Sequence, residues 1–223
     1  MQVAQSKTTH LARQLTHAGV IRVAGQQPFF YTSGWASPVY VDTQVLLSDV
    51  VLRTQVMDAS AEALRLQITT YGINAIVGAE NSGVAFAAWL ADRLNLPMLC
   101  LRKRPVGWGV NAQLSGQLPA NSNVLLVDDV TTDGRSKLDA CLALRQSGVT
   151  VAHVFVVVNF NVYPQAEEKL RENNLKLHYL LTWQDLFERY ELMQGVPPER
   201  LQSVRAFNAS PTAWSIAHGG TDK

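Results

Sequence analysis

The sequence predicts an α/β fold with a central, mostly parallel sheet flanked by helices. Short apolar runs recur at 75–77, 98–101, 124–127, 151–158 and 177–181, each bounded by turn-forming residues. Stretches of helical character separate most of them, and strands alternating with helices imply parallel pairing with helices on both faces of the sheet. The third observation is size: 223 residues, 47% of them hydrophobic, suffice for one substantial core with embellishments.

Taken in order, residues 6–17 have apolar spacing suited to an amphipathic helix, with Gly19 placed to end it. Gly25, Pro28, Gly34 and Pro38 then interrupt any helix between Val23 and Asp42, while Phe29, Phe30, Tyr31, Tyr40 and Val41 suit short strands. Ser48 is expected to cap a long helix, with Asp49 favourable in its first turn. Strand 75–77, loop 78–83, helix 84–94 and strand 98–101 follow, and a loop over 103–118 interrupts the alternation. The remaining elements are strand 124–127, helix 135–146, strand 151–158, helix 165–172, strand 177–181 and helix 183–190. Residues 1–190 form one expected domain. The tail, 191–223, carries Pro197, Pro198, Pro211 and a Gly-Gly pair, and is expected to be partly ordered or disordered, with Trp214 and Ile216 available for docking.

A net charge of +1 with 17% charged residues gives no electrostatic basis for binding nucleic acid or a membrane surface. No apolar run approaches the roughly 18 residues of a membrane span, and the N-terminus lacks a secretory pattern, so a cytoplasmic protein is expected. Cys100 and Cys141 lie 41 residues apart among apolar neighbours and read as buried free thiols. The five histidines are scattered, without metal-ligand spacing, and no dedicated metal site is expected.

The densest chemistry lies in Val-Leu-Leu-Val-Asp-Asp-Val-Thr-Thr-Asp-Gly-Arg-Ser, residues 124–136. An apolar strand ends there in Asp128 and Asp129, at the end of a parallel strand where α/β sheets place ligands, and carboxylates accept hydrogen bonds from vicinal hydroxyls. Thr131, Thr132, Asp133, Gly134, Arg135 and Ser136 then lead into a helix, whose first N–H groups and positive end suit one phosphate. Asp133 must turn outward to avoid repelling that anion, whereas Arg135 could add to its site. Gly78 and Gly83 bracket a second strand-to-helix turn suited to a pyrophosphate oxygen. Arg102, Lys103 and Arg104 precede a glycine-containing loop suited to closing over a polyanion.

This signature resembles that of the type I phosphoribosyltransferases, which bind 5-phosphoribosyl 1-pyrophosphate (PRPP), and three further segments resemble the orotate branch. Residues 30–42, Phe-Tyr-Thr-Ser-Gly-Trp-Ala-Ser-Pro-Val-Tyr-Val-Asp, are similar to its N-terminal hood, here about 19–47. Glu80, Asn81 and Ser82 stand in the pyrophosphate loop, and Leu101 to Arg104 open the mobile catalytic loop. The resemblance implies that Asp128 and Asp129 hold the ribose hydroxyls, residues 131–136 the 5′-phosphate, and that Arg102 and Lys103 stabilise the departing pyrophosphate. It places Phe30, Thr32 and Phe160 around the base. Five positions depart from the branch: Thr32 replaces a hood lysine, Val106 and Trp108 replace a loop lysine and histidine, and Asn159-Phe160 replaces an Asp-Arg pair whose arginine meets the orotate carboxylate.

The resemblance therefore implies transfer of the phosphoribosyl group from PRPP to a pyrimidine-like base with release of pyrophosphate. Mg²⁺ would be bound mainly through PRPP and the enzyme would be a homodimer. Orotate itself is expected to be a poor substrate, and cations restored by Thr32→Lys, Val106→Lys and Phe160→Arg are expected to raise its conversion. A second reading stays open: a catalytically inactive regulatory or interaction protein that binds PRPP or a nucleotide.

Overall fold

The computed structural model describes residues 2–105, 113–117, 121–163 and 166–221, with side chains from residue 7 onward. Helix α1 (Gln2–His17) buries Leu11, Ala12 and Leu15 on one stripe, and Gly19, at φ +83°, turns the chain out of it. Two short antiparallel pairs follow: β1 (Ile21–Val23) with β4 (Val39–Val41), and β2 (Phe29–Phe30) with β3 (Ala36–Ser37). A 3₁₀ turn, Thr43–Leu47, is capped by Asp42, which accepts from Gln44 N.

Helix α2 (Val50–Tyr71) starts one residue later than the sequence suggests. Asp49 is its N-cap, accepting from Leu52 N at 2.9 Å, while Ser48 closes the 3₁₀ turn. The backbone explains the exchange: Asp49 has the extended conformation that a cap requires, whereas Ser48 is already in the helical region.

Beyond it run β5 (Ala75–Ala79), α3 (Ser82–Leu94), β6 (Met98–Leu101), β7 (Leu114–Ser115), β8 (Asn123–Thr131), α4 (Arg135–Gln146), β9 (Thr150–Asn159), α5 (Ala166–Glu172), β10 (Lys176–Thr182) and α6 (Trp183–Glu191). The main sheet has the order β10-β9-β8-β5-β6-β7, parallel except for β7, a short strand inside the expected loop that returns antiparallel to β6. From β5 the chain moves outward through β6, then crosses back and continues outward on the other side through β8, β9 and β10. The strand order thus reverses between β5 and β8, and the loops leaving their carboxyl ends border the crevice where such sheets bind ligands.

The tail is more ordered than its composition suggests. It forms α7 (Pro198–Ala209) and α8 (Pro211–Ala217), with Val204 and Phe207 fully buried in the core that also holds Phe160 and Trp183. Pro198 and Pro211 sit at the first positions of these helices and Pro197 at the N-cap of α7, where a missing N–H costs nothing, so they start structure instead of breaking it.

Candidate active site

The acid pair lies inside β8, not after it. Asp128 pairs in register with Val156 of β9 and Thr131 with Asn159, so the polar end of the strand keeps its ladder. Asp128 is 7% exposed, and three donors surround its carboxylate. Lys137 Nζ lies 2.6 Å from Oδ2, while Ser82 Oγ and Asp129 N each donate to Oδ1 at 3.0 Å. Burial pushes the Asp128 carboxyl above the ordinary carboxylate range, and the Lys137 ammonium opposes that shift. Asp129 is more open. Thr43 Oγ1 donates to its Oδ2 at 2.7 Å and Val130 N to its Oδ1 at 2.8 Å, which leaves lone pairs facing the crevice. The two adjacent acids therefore have different surroundings: Asp128 is buried among three protein donors, whereas Asp129 has two and borders the cavity.

The flanking loops meet this pair closely. A Cβ at Gly83 would overlap the Val127 carbonyl oxygen, so only glycine lets the start of α3 approach β8 this far. Ser82 thereby reaches Asp128, while Asn81 is exposed beside it. Glu80 Oε2 accepts from Lys103 N at 2.9 Å, tying the loop after β5 to the basic segment after β6. Arg102 N donates to Gln113 O at 2.8 Å, closing the base of that segment; Arg102 is half-buried and Lys103 exposed.

In the loop after β8, the Thr131 hydroxyl is buried and lacks a hydrogen-bond partner among the described residues. Gly134, at φ +77°, turns the chain into α4. Asp133 does not simply face outward: its Oδ1 accepts from Arg135 N at 3.2 Å, so a carboxylate already occupies one amide at the helix start. Arg135 and Ser136 are exposed at that terminus.

A cavity of about 200 Å³ joins these features to the hood. Ser82, Asp129 and Thr132 give its lining polar groups, Tyr31, Tyr40 and Phe160 give it aromatic rings, and the exposed Gln44 also borders it. Phe160 forms part of the wall but is 1% exposed, with Tyr31, Tyr163, Trp183 and Phe207 packed around it. The polar groups are thus suited to a hydroxylated, phosphorylated group and the rings to a flat base.

Residues 52–185 match the family model of the phosphoribosyl transferase domain. The chain is 34% identical over 213 residues to an orotate phosphoribosyltransferase of Agrobacterium fabrum, covering 96% of this chain and 92% of the relative. It is 36% identical to that of Rhizobium johnstonii over the same shares. This chain belongs to the orotate phosphoribosyltransferase family. The crystal structure of an orotate phosphoribosyltransferase from Aeropyrum pernix superposes with a TM-score of 0.70 at 29% identity, covering 82% of this chain and 99% of that one. The six-stranded sheet is that of a type I phosphoribosyltransferase, and the catalytically inactive reading is not favoured.

Against this family pattern, the departures fall in different places. Val106 and Trp108 lie outside the described residues. Thr32 and Phe30 are exposed, and neither lines the cavity; Tyr31, between them, does. Position 160 is a core position, so a cation there would enter an aromatic cluster, contrary to the expectation that arginine would simply restore a contact. Sequence reasoning missed Lys137, Thr43, Tyr31 and Tyr40. Lys137 had a signal: it shares a helical face with Cys141 and Leu144, and a lysine on a buried face needs a carboxylate. Thr43 and Tyr40 come from a hood whose docking on β8 is not written in local periodicity.

Proposed function

We propose that this enzyme transfers the phosphoribosyl group of PRPP to orotate, or to a close pyrimidine analogue, by displacement at the anomeric carbon. A base nitrogen forms the new C–N bond as the C–O bond to pyrophosphate breaks. The observation that carries this reading is the cavity lined by Asp129, Ser82 and Thr132 together with Tyr31, Tyr40 and Phe160. In this reading Asp129 accepts from the ribose hydroxyls, and Asp128 shapes the strand end that presents it. Thr131, Thr132, Gly134, Arg135 and Ser136 receive the 5′-phosphate, with the unpartnered Thr131 hydroxyl free to donate. Glu80, Asn81 and Ser82 border the pyrophosphate, and Arg102 and Lys103 offset its growing charge.

Mg²⁺ fits this arrangement. Mg²⁺ commonly binds substrate phosphates plus one or two carboxylates, and Asp129 supplies a carboxylate at the cavity. When bound it would neutralise pyrophosphate charge. No helix among the described residues is long and apolar enough to cross a membrane, which agrees with a cytoplasmic enzyme. Exposed Leu47, Val50 and Val51 at the start of α2 support a homodimer. Sedimentation at micromolar concentration should give about twice the 24.6 kDa chain mass; a lone monomer would remove that part of the reading.

The deciding experiment is pyrophosphate release from PRPP and Mg²⁺ with orotate, uracil and a carboxylate-free orotate analogue. Base-dependent release with at least one pyrimidine supports the assignment, and PRPP binding without consumption for every base would refute it.

A further inference from the structure

The C-terminal segment grips the hood at one place. Ser215 of α8 is fully buried, and its Oγ accepts from Ala36 N at 3.0 Å while donating to Thr221 O at 2.7 Å. Thr221 N in turn donates to Gly34 O at 3.0 Å, and Gly220 N to Ser215 O at 2.8 Å. The fit is close, since a Cβ at Gly220 would overlap both Ala36 N and Ser215 Oγ. Gly34 and Ala36 belong to the hairpin of β2 and β3, which has only two residue pairs and so little stability of its own. Within that hairpin Gly34 N donates to Tyr31 O and Tyr31 N to Trp35 O, both at 2.9 Å.

A second connection runs through rings. Trp214 of α8 packs on Phe207 at 5.6 Å between centroids; Phe207 meets Phe160 and Tyr163, each at 6.2 Å. Those two rings contact Tyr31 at 6.4 and 6.3 Å. Backbone clamp and chain of ring contacts therefore converge on Tyr31, the hairpin residue that lines the cavity. Among the described residues, the backbone clamp touches neither the acid pair nor the phosphate loop; the ring route meets the latter only through Phe160 N, which donates to Thr131 O at 2.9 Å.

We infer that the C-terminal segment is a strap that sets Tyr31 against the base, making Ser215 and Thr221 positioning residues for the base half of the site. The strap acts by holding a marginal hairpin in one place, so releasing it should loosen base binding and spare PRPP binding. This rests on the phosphoribosyl-transfer reading above.

The test uses the full-length enzyme with Ser215→Ala and with Thr221→Pro, which deletes the N–H bonded to Gly34; Thr221→Ala, which keeps that N–H, is the matched comparison. The KM for the accepted pyrimidine should rise roughly three- to tenfold in the first two variants, the equivalent of one lost hydrogen bond, with the KM for PRPP within about twofold of the parent. Amide exchange at residues 31–36 should quicken about tenfold in the same variants. Equal rises in both KM values would reduce the strap to general stability and overturn the inference, as would no change in either. Should Ser215→Ala fail to fold, Thr221→Pro decides alone. If the unmodified protein consumes no PRPP with any base, the functional reading falls, and exchange still judges the strap: faster exchange confined to the hood keeps it, and unchanged exchange removes it.

Discussion

Lys137 Nζ lies 2.6 Å from Asp128 Oδ2, with both side chains about nine-tenths buried at the carboxyl end of the central strand. A lysine and an aspartate at such depth are stable as a pair and costly apart. Lys137→Met should therefore destabilise the fold by about 3 to 5 kcal/mol, because it strands a buried carboxylate, and Asp128→Asn should cost a comparable amount. The double variant should recover part of the loss, and urea unfolding of all four proteins reads that coupling directly. Asp129→Asn should behave differently. It should leave stability nearly unchanged but weaken PRPP binding roughly tenfold, since it removes charge from the acid that faces the crevice. Calorimetry giving equal PRPP losses for Asp128→Asn and Asp129→Asn, in folded proteins, would erase the division of labour between them.

Asp133 accepts from Arg135 N at the start of α4, so an entering phosphate meets a carboxylate already seated at one of its donors. Removing that competitor should favour the ligand. Asp133→Ser is expected to tighten ribose 5-phosphate binding about three- to tenfold, the scale of one charge at a helix N-terminus. Weaker binding in this variant would instead assign Asp133 a supporting role.

The helices and strands were legible because each carries its own period or apolar run, and α4 begins and ends where its pattern predicts. The acid pair and the phosphate loop were legible because a strand, two acids and a turn are contiguous in the chain. The partners of those acids were not, since Thr43, Ser82 and Lys137 arrive from three elements whose meeting depends on tertiary packing. Phe160 shows the limit most clearly. Its position suggests a base contact, but its environment is decided by Tyr163, Trp183 and Phe207, two of them from segments that local reading treats as loop and tail.

That environment changes what a base-site variant should do. Among the described residues lining the cavity none is Lys, Arg or His, so orotate's carboxylate meets only uncharged donors there, and orotate should turn over with a KM near the upper end of the usual range, about 1 mM. Phe160→Arg should not improve this. A guanidinium pressed among four rings lacks a carboxylate partner, and the variant should lose several kcal/mol of stability, on the order of 3 to 5. Gln44→Lys puts the charge at the exposed rim instead, where solvation is kept, and should lower the orotate KM about tenfold without affecting a carboxylate-free analogue. Steady-state kinetics with both bases distinguishes this from a general electrostatic effect, which would lower both values together.

Far along the same sheet, His153 Nδ1 and His178 Nε2 share a hydrogen bond of 2.9 Å, so at least one ring must be neutral for the contact to exist. Tyr71 packs on His153 at 4.3 Å with the rings tilted, and Lys176 donates to the Tyr71 hydroxyl at 3.0 Å, which adds a cation to the cluster. Burial, then the neighbouring His153 and Lys176, push His178 down to about 4; burial and Lys176 also lower His153. Both histidines thus take up protons more readily in the unfolded chain, where the ordinary value is about 6.5. Between pH 6.5 and about 4 the unfolded state binds more protons, so stability must fall as pH falls through that window and level off above it. The loss attributable to the pair should be on the order of 1 to 2 kcal/mol, allowing for the partial exposure of His178. Urea unfolding at pH 7.5 and pH 5 measures it. His178→Gln, whose amide can still bond His153, should reduce the difference between the two pH values by about half or more; an undiminished difference in that variant would locate the pH dependence elsewhere in the chain.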